Sequence, residues 1–175
     1  MAIYNGKHCV FEQVGLDASE LVWNSQFNKD SDNAYNDWNI SNMRNTHLPA
    51  RLLLLSSALQ DNLTNTTTQT ATNGTNGVLV STSDKLFLAA EKEMTASPTK
   101  ARTEESSALT TWNYRTIHTT SNDRIKYDPT NTVKTYWLRS PKSGNTSSAV
   151  YVESSGNLDV NLAHSSRRIS LCFAF

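Results

Sequence analysis

The run Tyr136-Trp137-Leu138-Arg139-Ser140-Pro141 is followed by Val150-Tyr151-Val152-Glu153-Ser154-Ser155-Gly156-Asn157-Leu158, and together they constrain the fold more than any other stretch. Successive residues of a strand point to opposite faces. Val150, Val152, Leu158 and Val160 therefore share one side, and Tyr151, Glu153, Asp159 and Asn161 share the other. Ser154-Ser155-Gly156-Asn157 is turn chemistry, so two short strands close as a hairpin. One face is expected to be core and the other free for binding. Trp137 and Leu138 are expected in the core beneath that face, with Arg139 fixing a loop through backbone carbonyls or a carboxylate. Pro141 is expected to end its strand.

At 175 residues, with 16 basic and 16 acidic side chains, the chain is long enough to bury a core as one domain, 1–175. The even charge balance calls for neither nucleic acid nor an anionic membrane as partner. The densest cationic pair, Arg167-Arg168, is read as a solvated edge. Charged residues make up 18% of the chain while mean hydropathy is −0.51. The polarity therefore comes from Asn, Ser and Thr, which suit hydrogen-bonding surfaces and turns. No secretory leader is evident in the first residues, and no apolar run reaches membrane-spanning length. A component assembled in the cytosol, as in a virion, and a domain cut from a longer chain both fit. Cys9 and Cys172 admit three readings: a disulfide tying the termini, two buried thiols, or chance. The apolar run Ile169 to Phe175 favours buried thiols.

Residues 8–14 read as the first strand and residues 168–175 as the last. Trp38 to Arg44 opens a helix with Asn39 or Ser41 as N-cap, and Pro49 punctuates it. Leu48, Leu52, Leu55 and Leu59 share a helical face that Leu53, Leu54 and Leu63 widen, which predicts a second, largely buried helix over 49–62. The tract 64–77 is almost wholly Thr, Asn, Gly, Ala and Gln. It is either a long exposed loop or a polar β-branched strand pair, and its lack of apolar anchors favours the loop. Val78-Leu79-Val80 is a strand stub, with Ser81 or Ser83 capping the segment Asp84 to Glu93. The stretch 95–135 is polar and turn-rich.

Ser97-Pro98-Thr99-Lys100 and Ser31-Asp32-Asn33 match two motifs of serine penicillin-binding enzymes. Their order is reversed, and Lys134-Thr135 is followed by Tyr136 instead of Gly, which argues against acylating chemistry. Asp30, Asp32, Asn33, Asn36 and Asp37 cluster oxygens as a calcium site does, but the Gly and distant Glu of an EF-hand are missing. A solvated loop is the plainer reading, and no metal or cofactor is expected. His8, His47, His118 and His164 have no nucleophile or carboxylate at an instructive spacing. His118 and His164 lie in loop-like sequence and are candidate ligand contacts. Glu104 and Glu105 are adjacent and diverge in any regular element, so a two-carboxylate glycosidase site is not supported.

Asp37-Trp38-Asn39-Ile40-Ser41-Asn42-Met43-Arg44, Asp84-Lys85-Leu86-Phe87-Leu88, Arg124-Ile125-Lys126-Tyr127-Asp128-Pro129 and the Trp137-Leu138-Arg139-Ser140-Pro141 signature occur in that order. They resemble a bacterial and phage domain family of undefined activity, a branch of the C-type-lectin-like fold. The departure is Arg167-Arg168, where that family commonly has Gly before its closing strand. The resemblance implies an α+β domain with two or three helices, a small antiparallel sheet and paired N- and C-terminal strands. Related domains occur in phage tail or fibre proteins, in bacterial surface proteins and as variable proteins of diversity-generating retroelements, which scatter Asn codons into Ser, Thr, Asp, Tyr and His. Residues 142–167 have that look: Ser143, Asn145, Thr146, Ser147, Ser148, Tyr151, Ser155, Asp159, Asn161, His164, Ser165 and Ser166 alternate with apolar positions and are the expected ligand contacts. Side chains of these types make an adaptable binding surface. The implied function is non-enzymatic recognition of a protein or glycan receptor on a bacterial surface, by a module on a virion or cell surface. The alternative is a purely structural or oligomerising domain. A third reading, an enzyme like those that generate formylglycine, needs a reactive cysteine pair that Cys9 and Cys172 do not resemble in spacing.

Overall fold

The computed structural model describes residues 2–4, 9–13, 15–22, 36–72, 78–107 and 118–175; at 2–4, 9, 10, 22, 106 and 107 it describes the backbone alone. Alternating strand residues build the centre of the fold. Strands β8 (Tyr136–Pro141), β9 (Ser148–Val152), β10 (Leu158–Leu162), β11 (Ser166–Ile169) and β3 (Leu21–Val22) form a five-stranded sheet in the order β10-β9-β8-β11-β3. The expected hairpin is present, with Val152 opposite Leu158, Tyr151 opposite Asp159 and Val150 opposite Val160. Its turn needs Gly156, whose φ is +78° and whose missing Cβ would lie 1.8 Å from the Ser121 carbonyl oxygen.

The two faces of this sheet pack on different cores. Tyr136, Leu138, Val150 and Val152 meet Phe87, Ala89, Met94, Cys172 and Ala174 on one side. Trp137, Ala149, Tyr151 and Ile169 meet Trp38, Met43, Leu48, Leu86 and Leu88 on the other. Trp137 and Leu138 are both buried, as expected, but they serve opposite faces. Nor is one face of the hairpin simply free, because Tyr151 is only 8% exposed.

The terminal strands pair. β2 (Cys9–Glu12) lies antiparallel to β12 (Cys172–Ala174), with Phe11 opposite Phe173, in a sheet of order β1-β2-β12-β6 that includes β1 (Ala2–Tyr4) and β6 (Leu86–Phe87). Two details differ from expectation. β1 precedes the strand read as first, and the run 168–175 is split. Its first part, β11, pairs parallel with β8, while β12 belongs to the terminal sheet. The described residues therefore form three sheets, one with a parallel junction, in place of one small antiparallel sheet.

The third sheet corrects the reading of 64–77 as a loop, within its described residues. β4 (Thr66–Ala71) runs between β5 (Leu79–Asp84) and β7 (Ser106–Ser107). Thr66, Thr68 and Thr70 are buried while Thr67 and Gln69 are exposed, and Thr68 Oγ1 meets Thr82 Oγ1 at 3.0 Å. Paired hydroxyls thus do what apolar anchors do elsewhere. β5 also runs through Ser81 and Ser83, so neither caps a helix, and the helix of that region is only α3 (Glu91–Met94).

The helix read over 49–62 is two pieces, α1 (Leu48–Leu52) and α2 (Ser57–Asn62). Ser56 takes an extended conformation and its side chain accepts the Leu59 N–H, so a new N-cap competes with continuation. Leu53 and Leu54, at the break, are each 75% exposed instead of buried, while Leu48 and Leu63 are buried. Upstream, Asp37 caps the 3₁₀ turn Trp38–Ile40, and Ser41 Oγ accepts the Arg44 N–H at 3.2 Å. Among the described residues no helix is long and apolar enough to cross a membrane.

Candidate ligand-binding face

The signature run supplies the scaffold. Arg139 has no exposed surface. Its guanidinium forks onto Glu93 at 2.8 and 2.7 Å and donates to the Leu88 carbonyl at 2.6 Å and Thr70 Oγ1 at 3.1 Å. Ser140 Oγ accepts the Glu91 N–H at 2.9 Å and donates to Glu105. Glu91 in turn collects the N–H groups of Thr99, Lys100 and Ala101. The backbone of the S-x-x-K match thus binds a carboxylate. Full burial pushes the Glu105 carboxyl up to about 7, against the opposing pull of Ser140 and Arg139. Glu104 is exposed, so the adjacent pair diverges. Glu105 instead shares the surroundings of Arg139 with Glu93.

Above this scaffold, Trp137, Tyr151 and Asp159 stand in register across β8, β9 and β10. Trp137 meets Tyr151 edge to face, with centroids 6.0 Å apart. The guanidinium carbon of Arg167 lies 3.9 Å from the Tyr151 ring centroid and 4.9 Å from that of Trp137. Arg167 is thus part of this face and not a solvated edge, whereas Arg168 turns away to Asp128 at 3.2 Å. The sequence signal was the alternation itself, since Arg167 is two residues before buried Ile169.

The structure sorts the expected contacts. Tyr151, Asp159 and Asn161 share this face, and Ser165 Oγ reaches Asn161 Oδ1 at 3.4 Å. His164 and Ser166 are exposed beside them. Asn145, Thr146, Ser147 and Ser148 lie at the same end of the hairpin, where the Ala163 N–H binds the Ser147 carbonyl. Asn145 is spent internally, however: its Oδ1 accepts the N–H groups of Ser147 and Ser148, both at 2.8 Å. Buried Asn36 donates to the carbonyls of Asn145 at 2.7 Å and Ser148 at 2.8 Å, pinning this loop. Ser148 is itself buried, while Ser143 and Thr146 are exposed. Ser155 sits in the turn at the opposite end of the hairpin, so the twelve residues do not form one surface.

His118 is not a ligand contact. It is 3% exposed, with Nε2 3.0 Å from Glu12 Oε2. Lys126 Nζ lies 2.6 Å from Glu12 Oε1 and donates to Ser170 Oγ at 2.7 Å. Burial alone would raise the Glu12 pKa, but His118 and Lys126 overcome it and hold the carboxyl at about 2. Sequence reasoning missed this buried group because its members stand at positions 12, 118, 126 and 170. With its charge matched by Glu12, Lys126 ties the terminal sheet to the loop that carries it.

Among the described residues no group of three or more His, Cys, Asp or Glu could hold a metal ion. Asp30, Asp32, Asn33 and His8 lie outside the described residues. Asn36 and Asp37, the other members of the suggested calcium cluster, pin a loop and cap a turn. Cys172 is a free, buried thiol, and the Cys9 side chain is outside the described part. A cleft of about 290 Å³ opens beside α1, lined by Leu48, Pro49, Leu52, Ser83 and Lys85 among others. Its charged groups are partnered, Arg44 with Asp84 at 2.9 Å and Lys85 with the Gln60 carbonyl at 2.6 Å. None of the expected contacts lines it.

No curated protein and no solved structure matches the chain. One family model does, over residues 14–173, taking in every strand of the central sheet and the whole candidate face. The chain belongs to the family described as domain of unknown function DUF6273.

Proposed function

We propose that the domain is a non-enzymatic recognition module with a C-type-lectin-like fold, carried on a phage tail or fibre or on a bacterial surface, and that it binds a protein or glycan receptor of a bacterial cell. The carrying observation is the face on β9, β10 and β11. Polar, partly exposed Asp159, Asn161, Ser165 and Arg167 stand on a rigid floor of Trp137 and Tyr151, with exposed His164 and Ser166 at the rim. Paired terminal strands and an internally anchored Arg139 support the lectin-like reading. Side chains held on strands are placed more precisely than those on free loops.

The test is binding of the purified domain to whole bacterial cells and to a glycan array. Replacing Asp159, Asn161, His164 and Ser165 together by Ala should abolish binding while moving stability by about half a kcal/mol per site or less. Asn145 and Tyr151 are left intact because both are structural. A folded quadruple variant that binds as before would end this reading. The exposed Leu53 and Leu54 favour a second one, an oligomerising structural domain. A self-associated species that becomes monomeric in Leu53→Ser/Leu54→Ser would support it.

A further inference from the structure

Arginine partners across the described residues single out one guanidinium. Arg44, Arg51, Arg102, Arg139 and Arg168 each reach a carboxylate, and Arg124 donates to the carbonyls of Gly156, Met94 and His118. Arg167 reaches no carboxylate: it donates to the Ser166 carbonyl at 3.3 Å and lies against the Tyr151 hydroxyl, and its Nε is buried with no acceptor. Its guanidinium carbon lies over the Tyr151 and Trp137 rings. Cation–π contact offsets part of the cost of removing a cation from water, but it supplies no acceptor for the buried Nε–H and no counter-charge.

On the other side of Tyr151, Asp159 is equally unmatched. Among the described residues it forms no ion pair, and its Oδ2 meets the Tyr151 hydroxyl only at 3.5 Å. A ligand that answers both must bring one anion to the guanidinium and neutral hydrogen-bond donors to the carboxylate. A polyanion would meet repulsion from Asp159. A planar carboxylate matches the guanidinium fork, sugar hydroxyls are donors to Asp159, and Asn161 and Ser165 add further polar partners beside it.

We propose that Arg167 anchors a subsite for a sugar bearing one carboxylate, of the uronic or sialic acid type, with Asp159 receiving its hydroxyls. This rests on the ligand-binding reading above and names its ligand class. The probes are an array of carboxylated glycans, their methyl esters, and sulfated glycans of the same core, applied to the full chain. The acids should bind, and esterification should weaken binding at least tenfold. Arg167→Gln should match that loss, while Arg167→Lys should fall between, keeping the charge without the fork.

Equal binding of acid and ester, equal binding of sulfated forms, or an unchanged Arg167→Gln variant would each overturn the proposal. If Arg167→Gln fails to fold, the acid-against-ester comparison on the unaltered protein decides alone. Binding to cells or neutral glycans without any acid binding would overturn this subsite and leave the recognition reading standing. No binding to any glycan or cell would overturn both.

Discussion

A guanidinium without exposed surface must have its donors answered from inside the protein, and Arg139 obtains this from Glu93, Leu88 and Thr70. Arg139→Met would leave Glu93 charged and buried without its partner. The expected loss is about 3–5 kcal/mol in urea unfolding, part of which Arg139→Met/Glu93→Gln should recover. Gly156→Ala should also destabilise. The left-handed φ alone costs about 1–3 kcal/mol, and the Ser121 carbonyl leaves no room for a Cβ. A thermal melt equal to that of the unaltered protein would contradict this. Both residues were legible in the sequence, one as an anchor and one as a turn. Arg167 was not, because adjacent arginines read as one charged edge. A strand sends them to opposite sides, one to Tyr151 and the other to Asp128.

Elements followed the hydrophobic pattern where apolar residues alternate and departed from it where hydroxyls or caps decide. β9 and β10 were readable from Val150, Val152, Leu158 and Val160. β4 was not, because three of its four buried positions are threonines, whose strand partners lie elsewhere in the chain. The leucine stripe over 48–63 predicted one helix, and Ser56 broke it. The Thr68–Thr82 pair gives a direct test of the polar strand. Thr68→Val leaves the Thr82 hydroxyl buried without its partner and should cost about 1–3 kcal/mol, while Thr68→Val/Thr82→Val should return close to the original stability. Additive single and double values in a mutant cycle would show that the hydroxyls do not depend on each other.

Across the whole molecule, two buried carboxyls set opposite limbs of the pH profile. Glu12 has a folded pKa of about 2 against an ordinary 4.5, so its stabilisation is present above 4.5 and is lost as pH falls towards 2. Glu105 has a folded pKa of about 7 against 4.5, so its contribution is complete below 4.5 and is lost as pH rises to 7. The second limb should amount to a few kcal/mol, at about 1.4 kcal/mol per pKa unit. Glu105→Gln keeps an acceptor for the Ala71 N–H and should flatten the fall in melting temperature between pH 5 and about 7.5. An unchanged slope would assign that limb to other groups. The paired ends have a mechanical consequence. Because β2 and β12 are antiparallel neighbours, the start of one lies beside the finish of the other. Force applied between the start of β2 and the finish of β12 would reach their hydrogen bonds one rung at a time and peel these two strands apart. Held by a single end, the same domain carries none of that load.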